Sequence, residues 1–457
     1  MRVHFHTFGC KANQYDTERM RQELEARGAT AVEGWDGAQL VVVNTCTVTN
    51  EADAEARRLL RRIQRESPGV PVVVAGCSAA LRAPEYRAME GVGGVVEGHD
   101  PVAVAASALD ALGAPGSRFG AGPTKGGLVQ LEDRRSLDRL DTEPVGGELL
   151  RRREAGTRGW LKIQDGCDRK CAFCATRLAR GASRSRPVDE VVAEARILAR
   201  SHPELVLTGV HIGHYGTDLD VPASLSLLTA RLLEDVPGVR FRLGSVEATE
   251  IDDLLVELLE TSAGALVPHL HMPLQSGADP VLRRMRRWHT RAQYRDRALE
   301  IAGRVPILGL GADIITGFPG ETDRDHADTA ALVEELPFTY LHVFPFSPRD
   351  GTVAAELNRE VPVPQRVAGE RSRELRERVH AKGEAYRRAR AGQRATVVVE
   401  GSGSALTEDY LRVALVGDPP ADTRRLHAGV LSAEGPDLYI ALDSPSGEPT
   451  TATRHPA

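Results

Sequence analysis

The chain has 457 residues, a formal charge of −6 (58 Lys and Arg against 64 Asp and Glu), 41% apolar, 27% charged and only 4% aromatic residues, and six cysteines. That composition excludes collagen-like, disordered and coiled-coil classes, and six cysteines are too few for a disulfide scaffold of this length. No apolar run reaches the roughly 18 residues needed to span a bilayer, and the opening residues MRVHFHTFGCKAN lack the basic-then-apolar order of a signal peptide. A cytoplasmic, reducing setting is therefore expected, with cysteines acting as ligands or catalysts instead of bridges. The acidic total speaks weakly against nucleic acid, although a total is blind to patches.

At about 150 residues per domain the length predicts about three domains. Arg2–Thr7, Leu40–Thr45 (LVVVNT) and Val70–Ala75 (VPVVVA) read as strands, separated by helical Gln14–Arg27 and Asn50–Arg65. Continuous β-branched runs alternating with helices predict an open parallel α/β domain over 1–115. Gly, Pro and dense charge then mark a connection over 116–158. Strands follow at Leu161–Gln164, Glu204–Thr208, Arg240–Leu243, His269–Met272, Gly309–Ile315 and Tyr340–Phe344, with helices such as Val188–Arg200 and Asp252–Thr261 between them. Six βα repeats predict a partial (β/α)6 TIM-like barrel, which with the charged helix Gln365–Arg390 makes a domain over 159–390. Short strands with Gly, Ser, Pro and Asp turns close the chain as a small β-barrel over 391–455.

The cysteines fall into two groups of three. Cys167, Cys171 and Cys174 form C-x3-C-x2-C in GCDRKCAFC. Three buried structural thiols and a zinc site are the alternatives, but structural zinc asks for four ligands in paired spacing. Three thiolates on one loop suit a [4Fe–4S] cube with one iron left open, as a catalytic metal site requires. Cys10, Cys46 and Cys77 look scattered, yet each falls just past the carboxyl end of a predicted parallel strand. That edge is where open α/β sheets bind ligands, so a second three-cysteine site is plausible on topology, against the bland reading of three core thiols.

The loop, with Phe173 before its last cysteine, resembles the radical S-adenosylmethionine superfamily. TFGCKANQYDTE, VVVNTCTVTNEADAEARR and AGCSAA are similar to the N-terminal domain of its methylthiotransferase branch, and the likeness continues through KIQDGC, ARGASRSRP, ELVLTGVHIGHYG, GSVEATEID, HLHMPLQSGAD, ADIITGFPGETD and LHVFPFSPRDGT. The terminal barrel resembles a TRAM domain, an RNA-binding module. FGCKANQYDTE, VHIGHYG and SVEATEID look most like the subfamily acting on N6-threonylcarbamoyladenosine at position 37 of transfer RNA. Rival readings are its siblings acting on isopentenyladenosine-37 or on a ribosomal-protein aspartate, and a non-enzymatic iron–sulfur electron carrier or sensor with an RNA-binding tail.

The resemblance implies two [4Fe–4S] clusters and S-adenosylmethionine as cofactors. Cys167, Cys171 and Cys174 would hold the radical-generating cluster, and Cys10, Cys46 and Cys77 an auxiliary cluster carrying sulfur. Adenine C2–H is an sp2 bond with no useful acidity, so a 5′-deoxyadenosyl radical does what acid–base residues cannot, and the hard chemistry is the cofactors'. By family pattern Phe173, Thr208, Gly209, Ser245, Glu247, Gln275, Asp313, Gly317 and Phe318 are candidates for holding S-adenosylmethionine. His269 and His271 alternate on one strand, as one packed and one site-facing histidine. Implied partners are transfer RNA (anticodon loop, position 37), an electron donor such as flavodoxin or ferredoxin, and a sulfur donor, with no membrane. Arg180, Arg184 and Arg186 lie in an acid-free stretch after the radical loop, Arg283 and Arg287 in a second knot, and Arg151–Arg153 in a third; the first two groups are candidate phosphate contacts. One departure from the family stands out: Ala175, Thr176, Arg177 and Leu178 replace its usual Pro and aromatic.

Overall fold

The computed structural model describes residues 1–47, 49–113, 145, 149–153, 156–401 and 403–443. Five parallel strands, β1 (Arg2–Thr7), β2 (Thr30–Ala31), β3 (Leu40–Thr45), β4 (Val72–Gly76) and β5 (Val92–Val95), build the N-terminal sheet in the order β2-β1-β3-β4-β5. Strand β3 is buried along its length because both faces are covered. Leu40 and Val42 pack with Val3, Met20 and Val104 on one side, while Val41 and Val43 pack with Leu60, Ile63 and Tyr86 on the other. Strand β5 (VGGV) escapes the sequence reading since its paired glycines resemble a turn.

The central region holds β6 (Gly159–Lys162), a two-residue antiparallel ladder of β7 (Gln164–Asp165) and β8 (Arg184–Ser185), then β9 (Glu204–Thr208), β10 (Arg240–Leu243), β11 (His269–His271), β12 (Gly309–Thr316) and β13 (Tyr340–Pro345). Two parallel triplets, β10-β9-β6 and β11-β12-β13, are joined by parallel bridges Phe241↔Leu266 and Ser245↔His271. The expected six-stranded partial barrel is thus present, with its two edges at β6 and β13. The N-terminal domain reaches both edges. Gln14 and Asp16 of helix Lys11–Ala26 accept from Trp160 (2.9 Å) and Lys162 (2.6 Å) on β6. Arg349, after β13, donates to Asn50 (2.6 Å) and Asp53 (3.0 Å) and to Thr47.

Strands β14 (Arg394–Glu400), β15 (Ser404–Thr407), β16 (Arg412–Leu415), β17 (His427–Glu434) and β18 (Asp437–Leu442) close into the expected small barrel, ordered β14-β15-β16-β18-β17. It docks on the amino ends of the central strands. Arg240 and Arg242, both paired with buried Glu204 (2.6 and 2.9 Å), donate across to the carbonyls of Thr396, Leu406, Thr407 and Glu408 at 3.0–3.1 Å. Most of the connection expected at 116–158 lies outside the described residues, as does the end of the last domain. Among the described residues no helix is long and apolar enough to cross a membrane.

Candidate active site

The loop carrying Cys167, Cys171 and Cys174 leaves the carboxyl end of the first barrel strand, where barrel active sites are built. Gly166 makes the turn possible: its φ is +69°, and a Cβ there would sit 1.7 Å from the Ala182 carbonyl oxygen. The loop is pinned by Cys167 N–H to Gly181 O (3.1 Å), Ala172 N–H to Met285 O (2.9 Å) and Ala354 N–H to Ala172 O (2.8 Å). Each sulfur has its own polar neighbour. His211 Nδ1 lies 3.6 Å from Cys167, Arg287 Nη1 3.5 Å from Cys171, and the Thr176 amide donates to Cys174 at 3.4 Å. The atypical residues 175–178 therefore have local work. Thr176 opens helix Thr176–Arg180 beside Cys174, and Arg177 bonds the Cys167 carbonyl (3.2 Å) and Asp168 (2.9 Å).

Cys46 and Cys77 directly follow β3 and β4, and Cys10 comes shortly after β1, so the sheet brings to one edge three residues far apart in sequence. Cys46 and Cys77 are buried and Cys10 is exposed. Gly9, with φ +96°, lets Cys46 approach: a Cβ there would meet its Cβ and Sγ at 2.7 Å. Burial pushes the Cys77 thiol up to about 12, opposed by the Arg180 guanidinium and reinforced by the neighbouring Cys46 and Cys10. Cys167 is likewise pushed up to about 12 by burial, opposed by a backbone hydrogen bond from Arg169 and reinforced by Cys174 and Cys171. Bare thiolates are costly in both places, and a bound cation would relieve them.

The donor sets fit an iron–sulfur cube better than one ion. Structural zinc asks for four ligands in paired spacing, which neither triad provides in sequence. Each triad offers three thiols, the number that holds a cube and leaves one iron open. His211, His214 and Glu250 form a separate group of possible ligands beside the loop, with ligand atoms within 4.8 Å of one another.

The candidates for S-adenosylmethionine divide. Thr208, Gly209, Ser245, Glu247 and Gln275 lie at or just past the carboxyl ends of β9, β10 and β11, and Asp313 lies within β12, one residue before the parallel bridge from Ile314 to Gln275. Glu247 is tied to the cysteine loop through Arg287, which pairs with it while reaching Cys171, and burial raises its carboxyl. Phe173 packs half-buried beside the loop. Two further candidates are packed or bonded within the protein. Phe318 is wholly buried against Phe346 and Met285, a core ring beneath the loop. Gly317 lacks a side chain because one would meet Ala368 Cβ at 2.3 Å, and its N–H is taken by Glu321 (2.6 Å). Of the histidine pair, His269 is buried, bonded to the Tyr340 hydroxyl (2.8 Å) and stacked on Tyr410, whereas half-buried His271 faces Asp313 (3.2 Å).

The arginine knots are corrected more sharply. Arg180 and Arg186 are 2% and 1% exposed, so neither can meet a phosphate. Arg186 is locked to Glu194 (3.0 Å) and the Lys162 carbonyl (2.9 Å). The Arg287 side chain is buried between Glu247 and Cys171. Arg153 stacks on Trp160. Arg283 is exposed and keeps the chemistry expected of a phosphate contact, whereas half-buried Arg184 has its Nε and Nη1 buried and donates through Nη2 to the Arg180 carbonyl (3.0 Å). A run of arginines carries no sign of which side chains turn inward; that depends on carboxylates such as Asp16 and Glu194, distant in sequence or on another helix. Sequence reasoning also missed His211 and Glu250, bonded at 2.9 Å beside Cys167. The H-x-x-H spacing in VHIGHYG is the signal that could have found the histidine.

Residues 2–96 match the family described as "Uncharacterized protein family UPF0004" and residues 161–333 the radical SAM superfamily. The chain is 32% identical over 413 residues (90% of each chain) to the threonylcarbamoyladenosine tRNA methylthiotransferase MtaB of Rickettsia prowazekii. It is 37% identical over 361 residues to the MtaB of Bacillus subtilis, covering 79% of this chain and 76% of that one. The tRNA-2-methylthio-N(6)-dimethylallyladenosine synthase of Sorangium cellulosum is 35% identical over 413 residues, covering 86% and 81%. Among solved structures, the radical S-adenosylmethionine methyltransferase TsrM of Kitasatospora setae shares the fold, with a TM-score of 0.52 at 16% identity over 75% of this chain and 72% of that one. A cysteine loop at the mouth of a six-stranded barrel, a cysteine-bearing α/β domain against its edges and relatives of this extent together assign the chain: it belongs to the radical S-adenosylmethionine methylthiotransferases, enzymes that work with S-adenosylmethionine and a [4Fe–4S] cluster.

Proposed function

We propose that this enzyme converts N6-threonylcarbamoyladenosine at position 37 of transfer RNA to its 2-methylthio derivative, in the cytoplasm, using two [4Fe–4S] clusters and S-adenosylmethionine. The observation that carries the reading is the pair of cysteine triads, one on a barrel loop and one on a sheet edge, joined through a single short helix. Cys174 receives the first N–H of helix Thr176–Arg180, and Cys77 receives a guanidinium N–H from its last residue. The chemistry that the bound groups supply is reductive cleavage of S-adenosylmethionine and delivery of sulfur. The chain's own part is to hold and insulate. Cys167, Cys171 and Cys174 hold one cluster and Cys10, Cys46 and Cys77 the other. His211, Arg287 and Thr176 offer hydrogen bonds to the first set of sulfurs, which tune such centres. Asp313, within β12, and Glu247, just past β10, would take up the polar groups of S-adenosylmethionine.

The substrate reading rests on the curated relatives named for threonylcarbamoyladenosine, which match up to 95% of each chain, and on FGCKANQYDTE around Cys10. Base 37 stands in a single-stranded loop, where it can be splayed out without opening a duplex. Electrons would come from a flavodoxin- or ferredoxin-like donor, and sulfur from a separate donor. Mass spectrometry of tRNA nucleosides tests this. Deleting the gene should abolish 2-methylthio-threonylcarbamoyladenosine and leave threonylcarbamoyladenosine in its place. An unchanged level would overturn the reading, and loss of the isopentenyl derivative instead would move the enzyme to its sibling group.

A further inference from the structure

Arg180 does something other than bind RNA. Its five N–H donors are all spent inside the protein. Nη1 forks onto both oxygens of Asp165 (2.8 Å each), Nη2 reaches Asn13 Oδ1 (2.5 Å) and Asp16 Oδ2 (2.8 Å), and Nε points at the Cys77 sulfur (3.2 Å). Lys162 completes the group, bonding Asp16 and Asp165 at 2.6 Å each. Two carboxylates thus balance two buried cations, and Cys77 gains a donor without a net surplus of charge. The residues come from three places: Asn13, Asp16 and Cys77 from the N-terminal domain, Lys162 and Asp165 from the barrel edge, and Arg180 from the helix that starts beside Cys174. Only a planar fork with donors on three sides can serve them all; a lysine ammonium has three donors on one point.

We propose that Arg180 is a positioning residue for the auxiliary site: it fixes the Cys10–Cys46–Cys77 triad against the radical loop and raises the reduction potential of the cluster held there through its N–H···S bond to Cys77. This rests on reading that triad as cluster ligands. Hydrogen bonds to sulfur and nearby positive charge stabilise the more negative, reduced form of a cluster, and their loss lowers its potential. The bond is buried on every side, so solvent does not replace it.

The test uses full-length protein in which Cys167, Cys171 and Cys174 are replaced by Ala, so that any cluster signal comes from the other triad. The midpoint potential is read by electron paramagnetic resonance in an anaerobic redox titration. Arg180→Lys keeps the charge but loses the fork, and should change the oxidised-to-reduced ratio at fixed potential by at least tenfold, a fall of about 59 mV for a one-electron couple. Arg180→Gln should shift it further in the same direction. As a measurement on unaltered Arg180, protein grown with 15N-arginine should show a nitrogen hyperfine coupling to the reduced cluster that Arg180→Lys loses. An unshifted midpoint in Arg180→Lys, or no coupling with Arg180 in place, would overturn the proposal. A parent protein that binds no iron would instead overturn the auxiliary-cluster reading on which it stands.

Discussion

The two cysteine triads are assembled in opposite ways. Cys167, Cys171 and Cys174 are neighbours in sequence on a loop with two partly exposed members and one exposed; their spacing is the site. Cys10, Cys46 and Cys77 are brought together only by the parallel order of β1, β3 and β4, and two of them are buried. The first triad is steadied by single contacts from His211, Arg287 and Thr176, whereas the second leans on a buried ionic network that spans two domains. A site made by spacing tolerates changes elsewhere in the fold. One made by topology depends on every element that sets the edge.

The largest effect that could break this contrast comes from the cysteines themselves. Cys171→Ala should take reductive cleavage of S-adenosylmethionine to background, read as 5′-deoxyadenosine, while Cys46→Ala should spare cleavage and abolish the methylthio product. Loss of cleavage in both would show that the triads do not act independently. Next come the glycines that shape each triad. Gly166→Ala and Gly9→Ala force a positive φ and a clash, a cost of about 1–3 kcal/mol each from the backbone alone. Iron analysis should show one cluster lost in each variant, the radical cluster in the first and the other in the second.

A third prediction concerns acid sensitivity near the radical loop. Burial, with Arg287 adding to it, pushes buried His289 down from 6.5 to about 4. Between those values the unfolded chain takes up a proton that the folded one refuses, so stability falls as pH drops from about 6.5 to 4, by up to about 3 kcal/mol. His289→Phe should flatten that part of a urea-denaturation profile; an unchanged slope would place the sensitivity elsewhere. The smallest effect is expected at the surface. Arg283→Ala should reduce the salt dependence of tRNA binding by about 0.9 in log–log slope, and an unchanged slope would remove it from the phosphate contacts.

The fold was legible where burial on both faces left its mark: LVVVNT, ELVLT and RFRL stand as strands at the predicted residues. So was the radical loop, because C-x3-C-x2-C is local. The strand order that gathers Cys10, Cys46 and Cys77 could be reasoned from parallel βα repeats, since each cysteine follows a strand. What sequence could not supply was the inward or outward turn of each arginine. Arg180 and Arg283 look alike as letters, and only carboxylates from other elements distinguish a buried fork from an exposed charge. The surroundings of Phe318 and Gly317 were hidden for a related reason. The helix Gln365–Arg390 and Phe346, which make one close-packed and the other core, lie far along the chain.

The small C-terminal barrel is held at the amino ends of the central strands by Arg240 and Arg242, while Cys167, Cys171 and Cys174 lie past their carboxyl ends. The intervening strands have 3–8 residues, so anything that touches both ends must reach over a distance on the order of 20 Å. A free nucleoside is too short for that, whereas a folded RNA arm is not. On the transfer-RNA reading proposed above, that separation would act as a length gauge: a substrate that engages both ends must span it.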